Sequence, residues 1–349
     1  MAADRKCLNG TAILLLEWYD RTARVLPWRE RRSLYGTVLS EFMLRQTRVA
    51  TAVPYYLRWL ARFPDFRSVA EASEAELFYL WSGLGYYERV RQLKRLCEAI
   101  CAAKSPPTSP EEWQKLPGIG PYCADAIASI GQGYDVIALD ANGLRILCRL
   151  SGAGPFLSRS AAERALRPLA DGLAIPGRCG ALGEALMDLG NGHCRARRPD
   201  CGACPLRSRC AVARMALAPE DFPKFPAAKT HRQERPRLWL RDGEGLWLAA
   251  SDGRRLTGLY ELPTLPAGAE AGPVLCTLRR RIASTDYVEP VHGAGHRLKE
   301  LLAALRSDGQ DVRHFPPAQL SQLPTSGPHG RCIGALLARE SRLSNFLPQ

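Results

Sequence analysis

The sequence predicts a mostly helical N-terminal domain followed by a smaller α+β domain. Within residues 1–210, apolar side chains recur every three or four residues and strand-like alternation is nearly absent, which is the pattern of amphipathic helices. From residue 236 onward, apolar alternation indicates strands. A chain of 349 residues has the length of two ordinary domains. We therefore expect domains at residues 1–212 and 236–349, joined by a proline-containing, charged linker at 213–235.

Individual elements can be placed within this outline. Helical periodicity is clearest in Val38–Leu60, Glu74–Leu80 and Val90–Cys101. In the second domain, Leu238–Leu248 indicates two strands around a tight turn at Asp242-Gly243. The segment Ala294–Ser307 has the pattern of a helix.

The charge balance points to a polyanionic partner. Lys and Arg number 48 against 35 Asp and Glu, which gives a net charge of +13. Such an excess favours nucleic acid or another anionic surface, although a merely basic soluble enzyme would show it too. Hydrophobic residues make up 46% of the chain, enough for sizeable cores and too many for a disordered protein.

The cellular setting follows from what the sequence lacks. No run approaches the roughly 18 apolar residues of a membrane span, and the first residues do not form a secretory signal. We expect an intracellular protein without a membrane partner, located in the cytoplasm and nucleoid, or in the nucleus of a eukaryote. In that reducing setting most of the 12 cysteines are expected to be free thiols.

Four cysteines in one polar stretch form a candidate metal centre. Cys194, Cys201, Cys204 and Cys210 are separated by six, two and five residues. Four thiolates suit either zinc or a cubane iron–sulfur cluster. Five arginines lie between these cysteines, so we expect the loop to face a polyanion.

A glycine-containing turn indicates a contact with a phosphate backbone. In Leu116-Pro-Gly-Ile-Gly-Pro-Tyr122, Gly118 and Gly120 permit a tight turn, and Pro121 suits the first position of a helix. Free N–H groups of such a turn can hold a phosphate without reading sequence. An ordinary helical turn would explain the motif equally well if it stood alone.

Two carboxylates are candidates for acid–base or electrostatic work. Asp140 lies just before a predicted helix, where its simplest role is an N-cap. Glu41 lies among apolar neighbours on another predicted helix. A carboxylate there either pairs with a cation or has a raised pKa, and the residues alone favour the ion pair.

Together these segments resemble the adenine DNA glycosylases of the MutY type, within the endonuclease III superfamily of helix–hairpin–helix DNA glycosylases. The resemblance spans roughly residues 20–212 and rests on the cysteine spacing, on the hairpin motif at about 111–131, and on the segments around Glu41 and Leu84–Arg89. It implies a helical glycosylase fold and a [4Fe–4S] cluster on the loop 194–210, with zinc as the alternative.

The resemblance also implies catalytic roles. Glu41 matches the acid that protonates adenine N7, and Asp140 matches the aspartate that stabilises the sugar cation. Tyr122 and Asn142 are implied to hold the geometry of the site. Tyr122 occupies the position where related lyases carry a lysine, and a tyrosine cannot form their imine, so a monofunctional enzyme is expected.

Further residues are implied to bind substrate. Gln46 and Tyr86 match residues that wedge into the duplex, whereas Trp28, Arg29 and Asp188 match the lining of the adenine pocket. Gly118 and Gly120 belong to the hairpin that holds phosphate. The chain departs from the family at Arg45 (usually Gln), Ala141 (usually Gly) and Asp188 (usually Glu), which leaves the catalytic groups intact.

The second domain resembles the family's Nudix-like domain more faintly, through Leu256–Pro263. In the family this domain checks the opposite base, 8-oxoguanine. The Phe-Ser-His element that does so is not evident, and the possible substitutes are Ser284, Thr285, His292 and His296. The clustered glutamates of a Nudix hydrolase are also missing, so nucleotide hydrolysis is not expected.

The sequence therefore favours a monomeric, monofunctional adenine glycosylase of base excision repair, acting on duplex DNA with A·8-oxoguanine or A·G mispairs by base flipping. One alternative is a related glycosylase of other specificity, such as a T·G mismatch enzyme or a pyrimidine glycosylase with lyase activity. Another is a non-catalytic iron–sulfur protein that only binds DNA.

Overall fold

The computed structural model describes residues 5–103, 105–226, 230–251, 259–282, 284–320 and 323–344. The chain forms two compact units. The first comprises Met1–Leu84 with Arg89–Ala227, and the second comprises Gly85–Glu88 with Ala228–Gln349.

Helices and turns make up the first unit as the structure describes it. The helices are α1 (Arg5–Thr22), α2 (Pro27–Glu30), α3 (Leu34–Leu44), α4 (Val49–Arg62), α5 (Phe66–Glu71), α6 (Glu74–Trp81), α7 (Glu88–Ala102), α8 (Pro110–Trp113), α9 (Pro121–Ala126), α10 (Ala141–Ser151), α11 (Arg159–Leu173), α12 (Cys179–Asn191) and α13 (Ala211–Arg214). A π-helical turn at Ile127–Gly131 follows α9 directly, and short 3₁₀ turns occur at Arg207–Arg209 and Pro219–Asp221.

The helical predictions are confirmed with one refinement. Helices α6 and α7 lie where the periodicity placed them, but the predicted helix Val38–Leu60 is two helices, α3 and α4. The break occurs because the backbone leaves the helical region at Arg45, and Gln46 has a positive φ of 59°. In this short connection, residues 45–48, the side chains of Gln46 and Arg48 are exposed to solvent.

One hydrophobic core of the first unit joins α1, α10, α11 and α12. Its members are fully or almost fully buried, among them Leu15, Leu147 and Leu186. Burial of each such leucine stabilises the fold by about 1.5–3 kcal/mol. Two of these helices also carry candidate site residues, because Asp140 caps α10 and Asp188 lies on α12.

The second unit is built on a seven-stranded mixed sheet. Its elements are β1 (His231–Glu234), β2 (Arg237–Arg241), β3 (Leu246–Ala250), β4 (Tyr260–Glu261), β5 (Val274–Ile282), β6 (Thr285–Gly293), α14 (Leu298–Ser307), β7 (Val312–Phe315), α15 (Pro317–Leu320) and α16 (Gly327–Ser344). The main strand order is β1-β6-β2-β3-β4, with β5 on β6 and β7 on β3. Strand β6 runs parallel to β1 and β2 and antiparallel to β5.

The two strands predicted around Asp242-Gly243 are β2 and β3, which pair antiparallel with Leu240 opposite Trp247. The helix predicted over Ala294–Ser307 is α14, which begins at Leu298. Strand β1 lies inside the segment 213–235 that we expected to be linker, because His231–Glu234 bonds to Thr285–Val288. The expected α+β character of this part of the chain is present.

A buried cluster of ion pairs joins β2, β4, β5 and β6 of this sheet. Glu289 is fully buried and accepts hydrogen bonds from Arg237 Nε at 3.0 Å and Arg237 Nη2 at 2.8 Å. Arg280 bonds both Glu261 and Glu289, and the His329 ring lies 3.3 Å from Glu289 Oε2. Burial alone would raise the pKa of Glu289, but the hydrogen bond from the imidazole and the two guanidinium charges lower it to about 2. The carboxylate therefore stays ionised at neutral pH.

None of the helices in the described residues combines the length and the apolar character that a membrane span requires.

Candidate active site

Glu41 is a buried carboxyl on α3, with 8% of its surface exposed. Burial is the main reason why its pKa rises from 4.5 to about 7, and the negative charges of Asp140 and Glu184 act in the same direction. The charge of Arg45 and a hydrogen bond from Tyr122 oppose the rise. The sequence favoured an ion pair here, whereas the structure gives the raised pKa. A carboxyl of this kind can donate a proton near neutral pH.

Tyr122 stands in the first turn of α9 and donates its hydroxyl hydrogen bond to Glu41. Burial and the neighbouring charges of Glu41 and Asp140 raise the pKa of Tyr122 well above its usual value. The phenol therefore stays protonated and acts as a hydrogen-bond donor that orients the Glu41 carboxyl.

Asp140 is the N-cap of α10, as its position in the sequence predicts. Its Oδ1 accepts the backbone N–H of Gly143 at 2.7 Å. Its Oδ2 accepts the side-chain amide of Asn142 at 2.6 Å. Because one oxygen caps the helix and the other bonds Asn142, the carboxyl group is fixed in orientation beside Glu41 and Tyr122.

A hydrogen-bonded chain extends from this carboxyl group to the cysteine loop. Asn142 Oδ1 accepts from Arg145 Nη2 at 2.8 Å, and Arg145 Nη2 also donates to Gly190 O at 2.8 Å. Arg145 Nε donates to the carbonyl oxygen of Cys194 at 2.9 Å. The position of Asp140 and that of the first cysteine are thus linked through one arginine side chain.

A cleft opens beside Glu41. Its walls are Arg24, Leu26, Trp28, Arg29, Thr37, Ser40, Glu41, Leu44, Val49, Ile130, Glu184 and Met187. Trp28, one of the predicted pocket residues, packs edge-on against Tyr56 with the ring centroids 5.2 Å apart. The walls of the cleft therefore combine an aromatic ring, the Glu41 carboxyl group and two arginines.

Glu184 and Asp188 lie one turn apart on α12 and bind arginines at the cleft. Arg29 forms a bidentate pair with Asp188 at 2.7 and 3.1 Å and also bonds Glu184 at 3.0 Å. Arg24 Nε donates to Asp188 at 2.7 Å, and Arg32 donates to Glu184 at 2.5 Å. Burial alone would raise the pKa of Asp188, but hydrogen bonds from Arg29 and Arg24 lower it below its usual value.

Two of the three predicted pocket residues line the cleft, and the third does not. Trp28 and Arg29 line the cleft, whereas Asp188 stands behind it and holds Arg24 and Arg29. The sequence did not single out Arg24 or Glu184. No local sequence pattern could have predicted these two residues as part of the site. Their contacts join distant segments, and Arg24 and Asp188 are 164 residues apart in the chain.

Both predicted wedge residues have left-handed backbone, which non-glycine residues seldom adopt. Gln46 has φ 59° and Tyr86 has φ 51°, and both side chains are exposed. Around Gln46, the buried Arg89 donates to the carbonyls of Met43 and Arg45 and to Thr47 Oγ1 at 3.1 Å. These bonds hold the connection between α3 and α4 in the shape that presents Gln46.

The predicted hairpin joins α8 to α9. Gly118 has φ +75°, and a Cβ there would stand 2.8 Å from Gln92 Cβ, so only glycine fits. Gly120 is the exposed N-cap of α9, and Pro121 opens that helix. The structure therefore has a tight, glycine-dependent turn between two helices at this position.

The four loop cysteines are free, partly buried thiols in one neighbourhood. The charges of Cys194, Cys201 and Cys210 all act on Cys204, and burial raises the pKa of that thiol to about 11. In the described residues, no three His, Cys, Asp or Glu side chains are arranged to hold a single metal ion. A cubane binds one iron per thiol, so it does not require three sulfurs to converge on one point.

Arg149, a residue that the sequence did not indicate, fastens this loop. Its guanidinium is almost fully buried and donates to Cys194 Sγ at 3.3 Å and to Arg195 O at 2.7 Å. The Cys210 thiol donates to the backbone carbonyl of Arg149 at 3.2 Å. Both ends of the cysteine loop are therefore attached to α10.

In the second unit, the possible lesion-reading residues are dispersed. Ser284 and Thr285 lie at the turn between β5 and β6, and His292 lies on β6 with Nδ1 3.0 Å from Gly272 O. His296 precedes α14. Of the motif Leu256–Pro263, residues 256–258 lie outside the described residues, and the remainder includes strand β4.

Comparison with known proteins agrees with this arrangement. Residues 39–171 match the family described as "HhH-GPD superfamily base excision DNA repair protein". This part of the chain is therefore similar to proteins of that superfamily. The adenine DNA glycosylase of Rattus norvegicus is 40% identical over 207 residues, covering 56% of this chain and 40% of the rat protein. That of Buchnera aphidicola subsp. Acyrthosiphon pisum is 32% identical over 225 residues, covering 63% of this chain and 64% of the relative.

The resemblance to adenine DNA glycosylases is confirmed by these relatives, although the chain spans only about two fifths of the mammalian relative's length. Two solved structures support the helical glycosylase fold. A thermostable thymine-DNA glycosylase aligns with a TM-score of 0.55 at 24% identity, covering 60% of this chain and 98% of that one. Endonuclease III in a DNA complex aligns with a TM-score of 0.52 at 18% identity, covering 61% and 98%.

The close approach of α12 to Asn142 yields a test of how this site is assembled. A Cβ at Gly190 would stand 2.4 Å from Asn142 Cβ, so Gly190→Ala must displace Asn142 or α12. We expect a loss of about 1–3 kcal/mol in unfolding free energy, the usual range for overpacking. Chemical denaturation followed by circular dichroism measures it.

Gly183→Ala is the matched control on the same helix, because its Cβ would stand 3.9 Å from the Ala138 backbone, an ordinary contact. Replacing a helical glycine by alanine without a clash should stabilise the protein by about 0.5–1 kcal/mol. Equal effects of the two substitutions would contradict the close packing of α12 against Asn142.

Proposed function

We propose that this protein is a monofunctional adenine DNA glycosylase that removes adenine opposite 8-oxoguanine or guanine in duplex DNA. The observation that carries the proposal is a pair of carboxyl groups in unlike environments. Glu41 is buried with a pKa of about 7, whereas Asp140 accepts hydrogen bonds at both oxygens. Such pairs divide acid and electrostatic roles between two residues.

In the proposed reaction, the adenine is flipped out of the duplex into the cleft beside Glu41. Glu41 donates its proton to adenine N7, and the electron pair of the N-glycosidic bond leaves with the base. The Asp140 carboxylate faces the sugar cation that develops. Water adds to C1′ and gives its proton to the Glu41 carboxylate, which leaves an abasic site and restores the acid.

Tyr122 and Asn142 act as positioning residues in this scheme. The Tyr122 hydroxyl holds the carboxyl group of Glu41, and the Asn142 amide holds Asp140 Oδ2. A phenol cannot form the imine through which lyases cut the strand, so the product retains an intact backbone.

DNA would be held by sequence-independent contacts. The hairpin at Gly118–Gly120 offers backbone N–H groups, and the five arginines of the cysteine loop offer positive charge. Gln46 and Tyr86, exposed on strained backbone, are suited to fill the space that the flipped base leaves. Binding should weaken steeply as salt increases.

We also propose that Cys194, Cys201, Cys204 and Cys210 hold a [4Fe–4S] cluster. The donor set of four partly buried thiols, of which Cys194 and Cys210 contact Arg149, fits this group. The cluster would fix the arginine-rich loop in shape. Purified protein should contain about four irons and four acid-labile sulfides per chain, measured by metal analysis and sulfide assay. One zinc per chain without sulfide would instead support the zinc alternative.

For the second unit, we propose a Nudix-like domain that reads the base opposite adenine. The mixed sheet and its position after the glycosylase unit support this proposal. Ser284 and Thr285 are the preferred substitutes for the missing lesion-reading element because they lie where β6 begins, with Ser284 exposed and Thr285 partly exposed.

A single-turnover assay on labelled duplexes tests the activity. We expect alkali-dependent cleavage at adenine in A·8-oxoguanine and A·G duplexes and none in A·T. Cleavage at thymine in a T·G duplex would overturn the adenine assignment, and cleavage without alkali would show lyase activity. Salt-sensitive binding without base release would indicate a non-catalytic DNA-binding protein.

Replacing either carboxyl group separates the two roles. Glu41→Gln should reduce the single-turnover rate by about 10²–10⁴, the usual contribution of a general acid. Asp140→Asn should reduce it by about 10²–10³, because stabilisation of the cation is lost. Asp65→Asn, which changes only the exposed N-cap of α5, is the control and should leave the rate unchanged. Full activity of either active-site variant would contradict the mechanism.

The pH dependence should depend on Arg45. Because Glu41 must be protonated, the rate should be constant at low pH and fall as pH rises through about 7. Arg45 holds this pKa down, so Arg45→Gln should raise it and move the alkaline limb to higher pH. Arg48→Gln, at an exposed position in the same connection, is the control. An unmoved limb in Arg45→Gln would exclude this role.

A further inference from the structure

Two cysteines of the second unit lie in contact although they are 56 residues apart in sequence. Cys276 is on β5 and Cys332 is on α16, and their sulfur atoms are 3.3 Å apart. The pairing register of β5 against β6 shifts between Val274 and Cys276. Both are free thiols in the structure, and neither belongs to the proposed cluster.

Cys276 is partly exposed to solvent, whereas Cys332 is buried behind it. The pair lies in the wall of an open groove between β5 and α16, together with Leu275, Leu278 and Leu336. Arg279, Arg331 and Arg339 also line the groove. These guanidinium groups make the groove positively charged, which attracts anionic reagents.

We propose that Cys276 and Cys332 form a redox modification site that converts reversibly between a dithiol and a disulfide by exchange with a small anionic disulfide such as oxidised glutathione. The proposal concerns this chain's second unit and does not depend on the glycosylase activity. The apolar wall accommodates the reagent's carbon chain, and the arginines bind its carboxylates.

The two thiols take different parts. Cys276 is half-buried and faces the groove, whereas Cys332 is buried with 6% exposure. Burial, together with a hydrogen bond and a charge interaction with Cys276, raises the pKa of Cys332 to about 12. Cys276 is therefore the first nucleophile. Once it is in a mixed disulfide it carries no negative charge, so one cause of the high Cys332 pKa disappears.

The exchange balances in two steps. The Cys276 thiolate attacks one sulfur of oxidised glutathione, which forms a Cys276–glutathione disulfide and releases one glutathione thiolate. Cys332 then loses its proton to solvent and attacks Cys276 Sγ, which forms the Cys276–Cys332 bond and releases the second glutathione. Two protein thiols are oxidised and one glutathione disulfide is reduced to two thiols.

The bond would join β5 covalently to α16. These elements otherwise meet through apolar contacts that include Ile333 and Leu336. A cross-link closing a loop of this length restricts the unfolded chain and stabilises the folded unit. Oxidation should therefore raise the melting temperature of the second unit, and a reducing agent should reverse the change.

The test incubates the full-length protein with glutathione buffers of graded ratio, followed by alkylation, proteolysis and mass spectrometry. We expect a peptide pair linked through Cys276 and Cys332, two hydrogens lighter than the free peptides, that increases with the oxidised fraction. Absence of the linked pair even in fully oxidised glutathione would overturn the proposal, as would a stable glutathione adduct on Cys276 in the unaltered protein.

Single variants identify the order of attack. In Cys332→Ser, the mixed disulfide should accumulate on Cys276 because no second thiol resolves it. In Cys276→Ser, Cys332 should stay unmodified. Cys101→Ser removes an exposed thiol of the first unit and should leave the linked pair unchanged. Circular dichroism checks that each variant folds, and modification of Cys332 in Cys276→Ser would contradict the assigned order.

Discussion

The N-terminal cap of α10 is the interaction on which the candidate site depends most. One carboxylate oxygen of Asp140 accepts the backbone N–H of Gly143 and so caps α10, and the other accepts the side-chain amide of Asn142. Arg145 and Arg149, one and two turns further along, bind the cysteine loop. A single helix therefore fixes both the carboxylate proposed to face the sugar and the basic loop proposed to face the backbone. Movement of the loop would be transmitted to Asp140 through Arg145 and Asn142.

Charge compensation explains how two acidic residues, Glu184 and Asp188, can be buried close to the cleft. Glu184 and Asp188 are each bonded by two arginines, which compensate the charges of these carboxyl groups. Glu41 has no such bidentate partner among the described contacts, and burial consequently dominates its pKa. Two arginine-bonded carboxyl groups therefore support the walls of the cleft, whereas Glu41 is a carboxyl group whose pKa is raised by burial.

Local patterns in the sequence predicted much of this molecule. Helical periodicity located α6 and α7, and the glycines at 118 and 120 indicated the hairpin. Contacts between distant segments were beyond such patterns. In the sequence, Arg149 cannot be distinguished from other helical arginines, and only the structure shows that it binds the cysteine loop. Strand β1 is short and fully exposed, so it shows no apolar alternation, and only its pairing with β6 defines it.

The arginine at position 45, where the family usually has glutamine, places a positive charge near Glu41. Arg45 ends α3, where a cation is favoured by the helix dipole. Its guanidinium stacks on the Phe42 ring at 4.1 Å and donates to Cys123 Sγ at 2.9 Å. These contacts give the guanidinium partners other than the Glu41 carboxyl. The cation therefore lowers the Glu41 pKa from a distance, but burial still outweighs it and leaves that pKa at about 7. In the proposed mechanism, an arginine at this position would lower the pH above which Glu41 loses its proton, without removing the carboxyl group.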